Sequence, residues 1–193
     1  MRVISGTAKG RSLKAVPGTN TRPTTDKVKE AIFSMIGPYF DGGLALDLFA
    51  GTGGLGIEAL SRGADRAVFV DLEGASIEVV KQNVQAAGMS DRAEIYRTDA
   101  TRAVKALAKR GLKFALVFLD PPYRIKDMDV LMGELAERGL LEDGAKVVVE
   151  HDAEHLYPEA MAHYNQIKQT HYGDTAVTIY RYEAENGQEP TED

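Results

Sequence analysis

The sequence predicts an α/β domain: a mostly parallel sheet with helices on both faces, ended by an antiparallel hairpin and preceded by a basic N-terminal extension. Three observations carry this. Short apolar runs alternate with amphipathic segments of helical period between residues 44 and 150, as in consecutive βα units. A glycine-rich loop, Gly51-Thr52-Gly53-Gly54-Leu55-Gly56, follows the first apolar run. A later run, Phe114-Ala115-Leu116-Val117-Phe118-Leu119, stops at Asp120-Pro121-Pro122-Tyr123, as a buried parallel strand does at its carboxyl edge.

Thr25-Asp26 caps a helix in which Val28, Ala31, Ile32, Met35 and Ile36 share one face, and Gly37-Pro38 ends it. The spacing then predicts a strand over Leu44 to Phe49, a helix over Gly54 to Ser61, a strand over Arg66 to Val70 and a helix over Ala75 to Ala87, closed by Gly88. A strand follows over Ala93 to Tyr96 and a helix over Arg102 to Lys109, closed near Gly111. After the strand Phe114 to Leu119 come a helix over Asp129 to Arg138, followed by Gly139, and a strand over Lys146 to Glu150. Gln166 to His171 and Ala176 to Tyr182 alternate apolar and polar residues across Tyr172-Gly173-Asp174-Thr175, the signature of a hairpin.

The 193 residues suit one domain with a substantial core. With no cysteine, disulfides and thiolate metal sites are excluded. Met1-Arg2-Val3-Ile4-Ser5-Gly6 lacks a long apolar core and no run reaches membrane-spanning length, so a cytoplasmic monomer with no membrane or metal partner is expected. The net charge of −6 is unevenly spread: residues 1–36 carry +5, residues 183–193 carry −5. The expected division is a basic arm over 1–24, the α/β domain over 25–182 and an acidic disordered tail over 183–193. Within the Gly/Thr/Pro-rich arm, Lys9, Arg11, Lys14 and Arg22 are the candidate phosphate contacts.

The glycine loop satisfies G-x-G-x-x-G, with Asp71 twenty residues beyond its first glycine. Alone it fits an NAD-binding oxidoreductase. Asp47, four positions before Gly51, argues against a pyrophosphate and for the ammonium group of S-adenosylmethionine, to whose amino-acid and ribose parts the glycine backbone can come close. Asp71 is placed to accept from two ribose hydroxyls. Asp99 is either an acceptor for the adenine amine or simply a helix cap. Phe49, Gly51, Gly53, Leu72 and Ala100 complete the cofactor contacts expected on these loops.

Asp120, Pro121, Pro122 and Tyr123 form the expected catalytic group. They combine a carboxylate, a free carbonyl and an aromatic face, which suits a flat amine-bearing ring such as a nucleobase. His151-Asp152-Ala153-Glu154-His155 has zinc-ligand spacing if helical, but lacks the HExxH order and a third ligand, so it reads as a surface helix start. Arg102, Lys105, Lys109, Arg110 and Lys113 form a second basic stretch, read as a solvated helix face with RNA contact as the alternative.

Together these features resemble the bacterial 16S ribosomal RNA guanine-N2 methyltransferases of the RsmD type. The resemblance rests on Arg22-Pro23-Thr24-Thr25-Asp26-Lys27-Val28-Lys29-Glu30, on the run from Leu46 to Ala64 around the glycine loop, on Asp120-Pro121-Pro122-Tyr123 and on the Tyr172 to Thr175 turn. It implies a class I methyltransferase with a Rossmann-like sheet, S-adenosylmethionine as cofactor and one guanine of 16S rRNA, in the small subunit or a late precursor, as target. It also implies that residues around Arg22 to Thr25, Thr24 among them, help close the cofactor site. Tyr123 stands where the family often has Phe, and Leu72-Glu73 departs from its pattern. A DNA adenine-N6 or cytosine-N4 amino methyltransferase shares the DPPY signature, but normally adds a target-recognition segment that is not evident in this sequence. A non-catalytic RNA-binding module explains the arm and leaves the cofactor loop without a role.

Overall fold

The computed structural model of the chain describes residues 1–18 and 24–184. Arg22 and residues 185–193 of the expected tail lie outside the described residues. In chain order the elements are α1 (Asp26–Ile36), β1 (Leu44–Asp47), α2 (Gly54–Ser61), β2 (Arg66–Asp71), α3 (Gly74–Ala86), a 3-10 turn (Ser90–Arg92), β3 (Ala93–Arg97), α4 (Ala100–Lys109), β4 (Phe114–Leu119), α5 (Met128–Glu137), β5 (Leu141–Asp152), β6 (Ala160–Met161), β7 (Tyr164–Tyr172) and β8 (Thr175–Tyr182).

The strands form one sheet in the order β3-β2-β1-β4-β5-β8-β7-β6. The first five pair in parallel; β8, β7 and β6 add antiparallel. The order reverses between β1 and β4, so their carboxyl ends open the crevice where ligands of such sheets bind. Alternation along the strands sends Ala45, Phe69 and Phe118 into a core with α1, α2 and α3. It sends Leu46, Val68 and Val117 into a second core with α4 and α5.

The order of elements in the sequence is thus observed, with corrections at their ends. The first strand stops at Asp47 and not Phe49, because the chain turns there into the glycine loop. The strand expected over Lys146 to Glu150 runs from Leu141 to Asp152, since its pairing with β8 continues to Asp152 opposite Thr175. This overturns the helix start at His151: His151 is a buried strand residue whose Nε2 is 2.8 Å from Thr178 Oγ1. No group of three or more His, Cys, Asp or Glu side chains suited to a metal occurs among the described residues.

The N-terminal extension is packed, not loose. Val3, Ala8 and Leu13 are buried, and Arg2 and Ser12 form an antiparallel bridge. The backbone N–H groups of Ile4 and Ser5 donate to the Glu58 carboxylate at 2.8 and 3.2 Å. Glu58 in turn holds Lys29 at 3.3 Å and Arg62 at 3.0 Å, with the Lys29 and Glu58 side chains sealed from solvent. Lys29 therefore adds nothing to an outward basic surface. Its charge anchors the extension to α1 and α2, and the close carboxylate offsets part of its desolvation, which still lowers the Lys29 pKa.

Candidate active site

Four carboxylates converge on the carboxyl ends of the parallel strands. Asp47 ends β1 and is almost wholly buried. Its Oδ2 accepts from the Gly56 N–H at 3.2 Å, whereas Oδ1 has no hydrogen-bond partner among the described residues. A buried oxygen without a donor is costly. Burial pushes the Asp47 carboxyl up to about 7, opposed by the Gly56 hydrogen bond and aided by the charge of Asp71. A cation beside Oδ1 would satisfy the orphaned oxygen and restore the carboxylate, as the ammonium group inferred from the sequence requires.

The glycine loop has the shape this needs. Gly53 adopts a left-handed φ of 81° as the residue before α2. A Cβ on Gly56 would sit 2.4 Å from the Phe69 ring, so only glycine lets α2 pack this tightly on β2. Asp71, at the end of β2, accepts from Gly51 N–H at 2.9 Å and from Glu73 N–H at 2.9 Å. It thereby fixes the loop and stands at the position expected for the ribose contact. Leu72 is 60% exposed beside it. Phe49 is half-buried against the α4/α5 core.

Asp99 is engaged as the cap of α4. Its Oδ1 accepts from Arg102 N–H at 2.8 Å and Oδ2 lies 3.4 Å from Arg102 Nε, with Ala100 opening the helix. The second basic stretch is also partly neutralised, because Arg110 pairs with Glu94 at 2.9 Å. This favours the solvated-face reading for α4.

The fourth carboxylate, Asp120, follows β4. The Thr24 hydroxyl donates to Glu150 Oε2 at 2.9 Å and lies 3.5 Å from Asp120 Oδ2. Thr24 thus stands beside Asp120 and Glu150. Burial, then the charge of Glu150 and a hydrogen bond to it, hold the Asp120 carboxyl well above the usual carboxylate range. Pro121 is buried and Pro122 half-buried, while the Tyr123 ring is 46% exposed and free to meet a flat ligand. The Tyr123 hydroxyl is hydrogen-bonded to Thr175 Oγ1, tying the catalytic loop to the β7–β8 turn.

Lys9, Arg11 and Lys14 are exposed along the packed extension. Lys14 also touches the cofactor loop through one buried residue. Asn83 on α3 accepts from Lys14 N–H at 2.7 Å, donates to Lys14 O at 3.0 Å and donates to Thr52 O at 2.8 Å. Sequence reasoning missed Asn83, Thr175 and Glu150. Only Glu150 had a readable signal, an acid closing a predicted parallel strand like Asp47, Asp71 and Asp120.

A family model described as Conserved hypothetical protein 95 matches residues 1–181. YlbH of Bacillus subtilis, an rRNA methyltransferase by its provisional name, is 53% identical over 94% of this chain and 98% of its own length. Ribosomal RNA small subunit methyltransferase D of Escherichia coli K12 is 32% identical over 96% of this chain and 91% of its own. The chain belongs to this RsmD family. The solved structure of yhhF from Escherichia coli, a methyltransferase by its provisional name, superposes with a TM-score of 0.81 at 33% identity, covering 96% of this chain and 99% of that one. The fold is the Rossmann-like methyltransferase fold expected from the sequence.

Proposed function

We propose that the protein transfers a methyl group from S-adenosylmethionine to the exocyclic N2 amine of one guanine in 16S rRNA, within the small subunit or a late precursor. The observation that carries the reading is the pairing of two groups of residues on one sheet edge. The buried Asp47 has an orphaned oxygen beside the glycine loop, and Asp120 stands with the Pro121 carbonyl and the exposed Tyr123 ring at the neighbouring strand end. Membership of the RsmD family supports rRNA as the substrate class.

The cofactor supplies an electrophilic methyl group and a neutral leaving group, so no metal is required. Asp47 would hold its ammonium, the Gly51 to Gly56 backbone would lie along it, and Asp71 and Leu72 would face its nucleoside. The remaining work belongs to the Asp120 loop. The target amine is a poor nucleophile because its lone pair is delocalised into the ring. Asp120 and the Pro121 carbonyl accept its two N–H groups, which favours a pyramidal nitrogen and aims the lone pair. Tyr123 stacks on the base, which must leave its neighbours to enter. Positioning of this kind supplies much of the acceleration.

The exposed Lys9, Arg11 and Lys14, on a segment anchored by the buried Lys29–Glu58–Arg62 cluster, give a rigid set of phosphate contacts. Labelled methyl transfer offered competitively to small ribosomal subunits, free 16S rRNA and duplex DNA tests the substrate class. Label in rRNA supports the reading, and label confined to DNA refutes it.

A further inference from the structure

A carboxyl group outside the DPPY motif stands next to the reacting position. In the parallel pairing of β4 with β5, Leu119 lies opposite Val149. The next residues, Asp120 just past β4 and Glu150 still within β5, therefore lie side by side. The Thr24 hydroxyl sits between them, donating to Glu150 Oε2 at 2.9 Å and 3.5 Å from Asp120 Oδ2. Glu150 is only 8% exposed. Among the described residues no Lys, Arg or His lies within salt-bridge distance of either carboxylate. His151, the next residue along β5, turns to the opposite face and is taken up by Thr178 and the Asp152 carbonyl.

Two adjacent carboxyls in a largely water-excluded site do not both ionise readily. Asp47 on β1 adds its negative charge to Asp120 from the other side, and burial raises Asp120 further. Asp120 therefore rests protonated beside Glu150.

We infer that Glu150 is the final acceptor of the proton released by the target amine, acting through Asp120 as a positioning and proton-holding residue. This inference rests on the amino-methyltransferase reading above. The nitrogen lone pair forms the N–C bond as the C–S bond breaks, with its electron pair left on sulfur. The nitrogen is then cationic and carries a proton to lose. Asp120 takes that proton on the oxygen facing the base, while its own proton passes to the Glu150 carboxylate. The pair goes from one negative charge to none, the product amine is neutral, and the proton later leaves to solvent. Asp120 stays uncharged throughout: before transfer its carbonyl oxygen faces the amine, and after transfer that same oxygen carries the proton. Thr24 holds the acceptor oxygen of Glu150 in place. No group outside the pair is needed.

Glu150→Gln tests this, because the amide keeps the shape and can still accept from Thr24 but cannot take the proton. Rates are measured at saturating cofactor and small subunits across pH 5.5–9, with cofactor affinity read separately. The expected result is a kcat lower by about 10- to 100-fold at neutral pH, with cofactor affinity within about twofold of the parent. The acid limb of the kcat profile should also move to higher pH. In the parent the Glu150 carboxylate takes the proton, whereas the variant must ionise Asp120 alone in its buried setting. A kcat within twofold of the parent with an unmoved acid limb overturns the inference while leaving the methyltransferase reading intact. A loss confined to cofactor binding or to folding, with normal kcat in the bound fraction, also overturns it. Absence of transfer by the parent to any nucleic acid overturns both.

Discussion

Cofactor affinity should depend on pH through Asp47, with a size set by its burial. The carboxyl titrates at about 7 in the free site, because desolvation outweighs the single hydrogen bond from Gly56 and the nearby Asp71 charge disfavours ionisation. Only the ionised form pairs with an ammonium group. Above pH 7 the group is ready, and below it binding must first expel a proton, so affinity falls towards tenfold per pH unit. Between pH 7.5 and 5.5 this amounts to about 25-fold. The cofactor's own amine loses its charge near pH 8, so affinity plotted against pH is a bell with its acid limb near 7. Calorimetry at several pH values in buffers of different ionisation heat reads both the limb and the protons released. Asp47→Asn should abolish the limb and weaken binding by about 1–3 kcal/mol. The same group gives a stability effect of known sign. Its folded-state pKa is raised, so its contribution is fully present below about pH 4 and is lost as pH rises through 7. In the free protein at pH 8, Asp47→Asn should therefore be more stable than the parent, by at most about 4 kcal/mol for a rise from 3.8 to about 7. Parent affinity that is flat from pH 5.5 to 7, or an Asn variant that binds like the parent, would refute this reasoning.

Lys29→Met should lower stability in chemical denaturation by about 3 kcal/mol, because Glu58 would keep its charge in a sealed site with only Arg62 to balance it. Tyr123→Phe keeps the stacking ring but frees the loop from the β7–β8 turn. It should raise KM for small subunits several-fold, and Thr175→Val should give the same effect without adding to it in the double variant. Replacing Lys9, Arg11 and Lys14 together with Ala should weaken rRNA binding and reduce its log–log salt slope by about one for each phosphate no longer neutralised, with cofactor affinity unchanged. An unaltered slope would remove the extension from the RNA interface.

The gathering of acids at one sheet edge was legible in the sequence, because each closes an apolar run and the chain order of the strands places those ends together. Asp47, Asp71 and Asp120 needed only strand ends to be located. Asp99 did not separate so cleanly: its position fits a ligand contact, but its side chain caps α4 and pairs with Arg102. Glu150 closed a predicted strand too, but its meaning depends on the β4–β5 pairing, which brings it beside a residue thirty positions earlier. The buried Lys29–Glu58–Arg62 cluster was illegible for a related reason. Its charges look like surface charges until two helices and the N-terminal extension meet around them. The His151 to His155 segment misled because its i, i+4 spacing mimics a helix, whereas pairing with β8 carries the strand into it as far as Asp152. Local periodicity carried no information about that partner.

The central claim is that Asp120 and its loop present a guanine amine to the methyl donor. Nucleosides from small ribosomal subunits treated with labelled donor and the parent protein can be separated and identified by mass spectrometry, with Asp120→Ala run beside it after its folding and cofactor binding are verified. The expected result is N2-methylguanosine at one site in 16S rRNA with the parent, and almost none with Asp120→Ala despite normal cofactor binding. Label on another nucleoside, or a near-normal yield from Asp120→Ala, would contradict it.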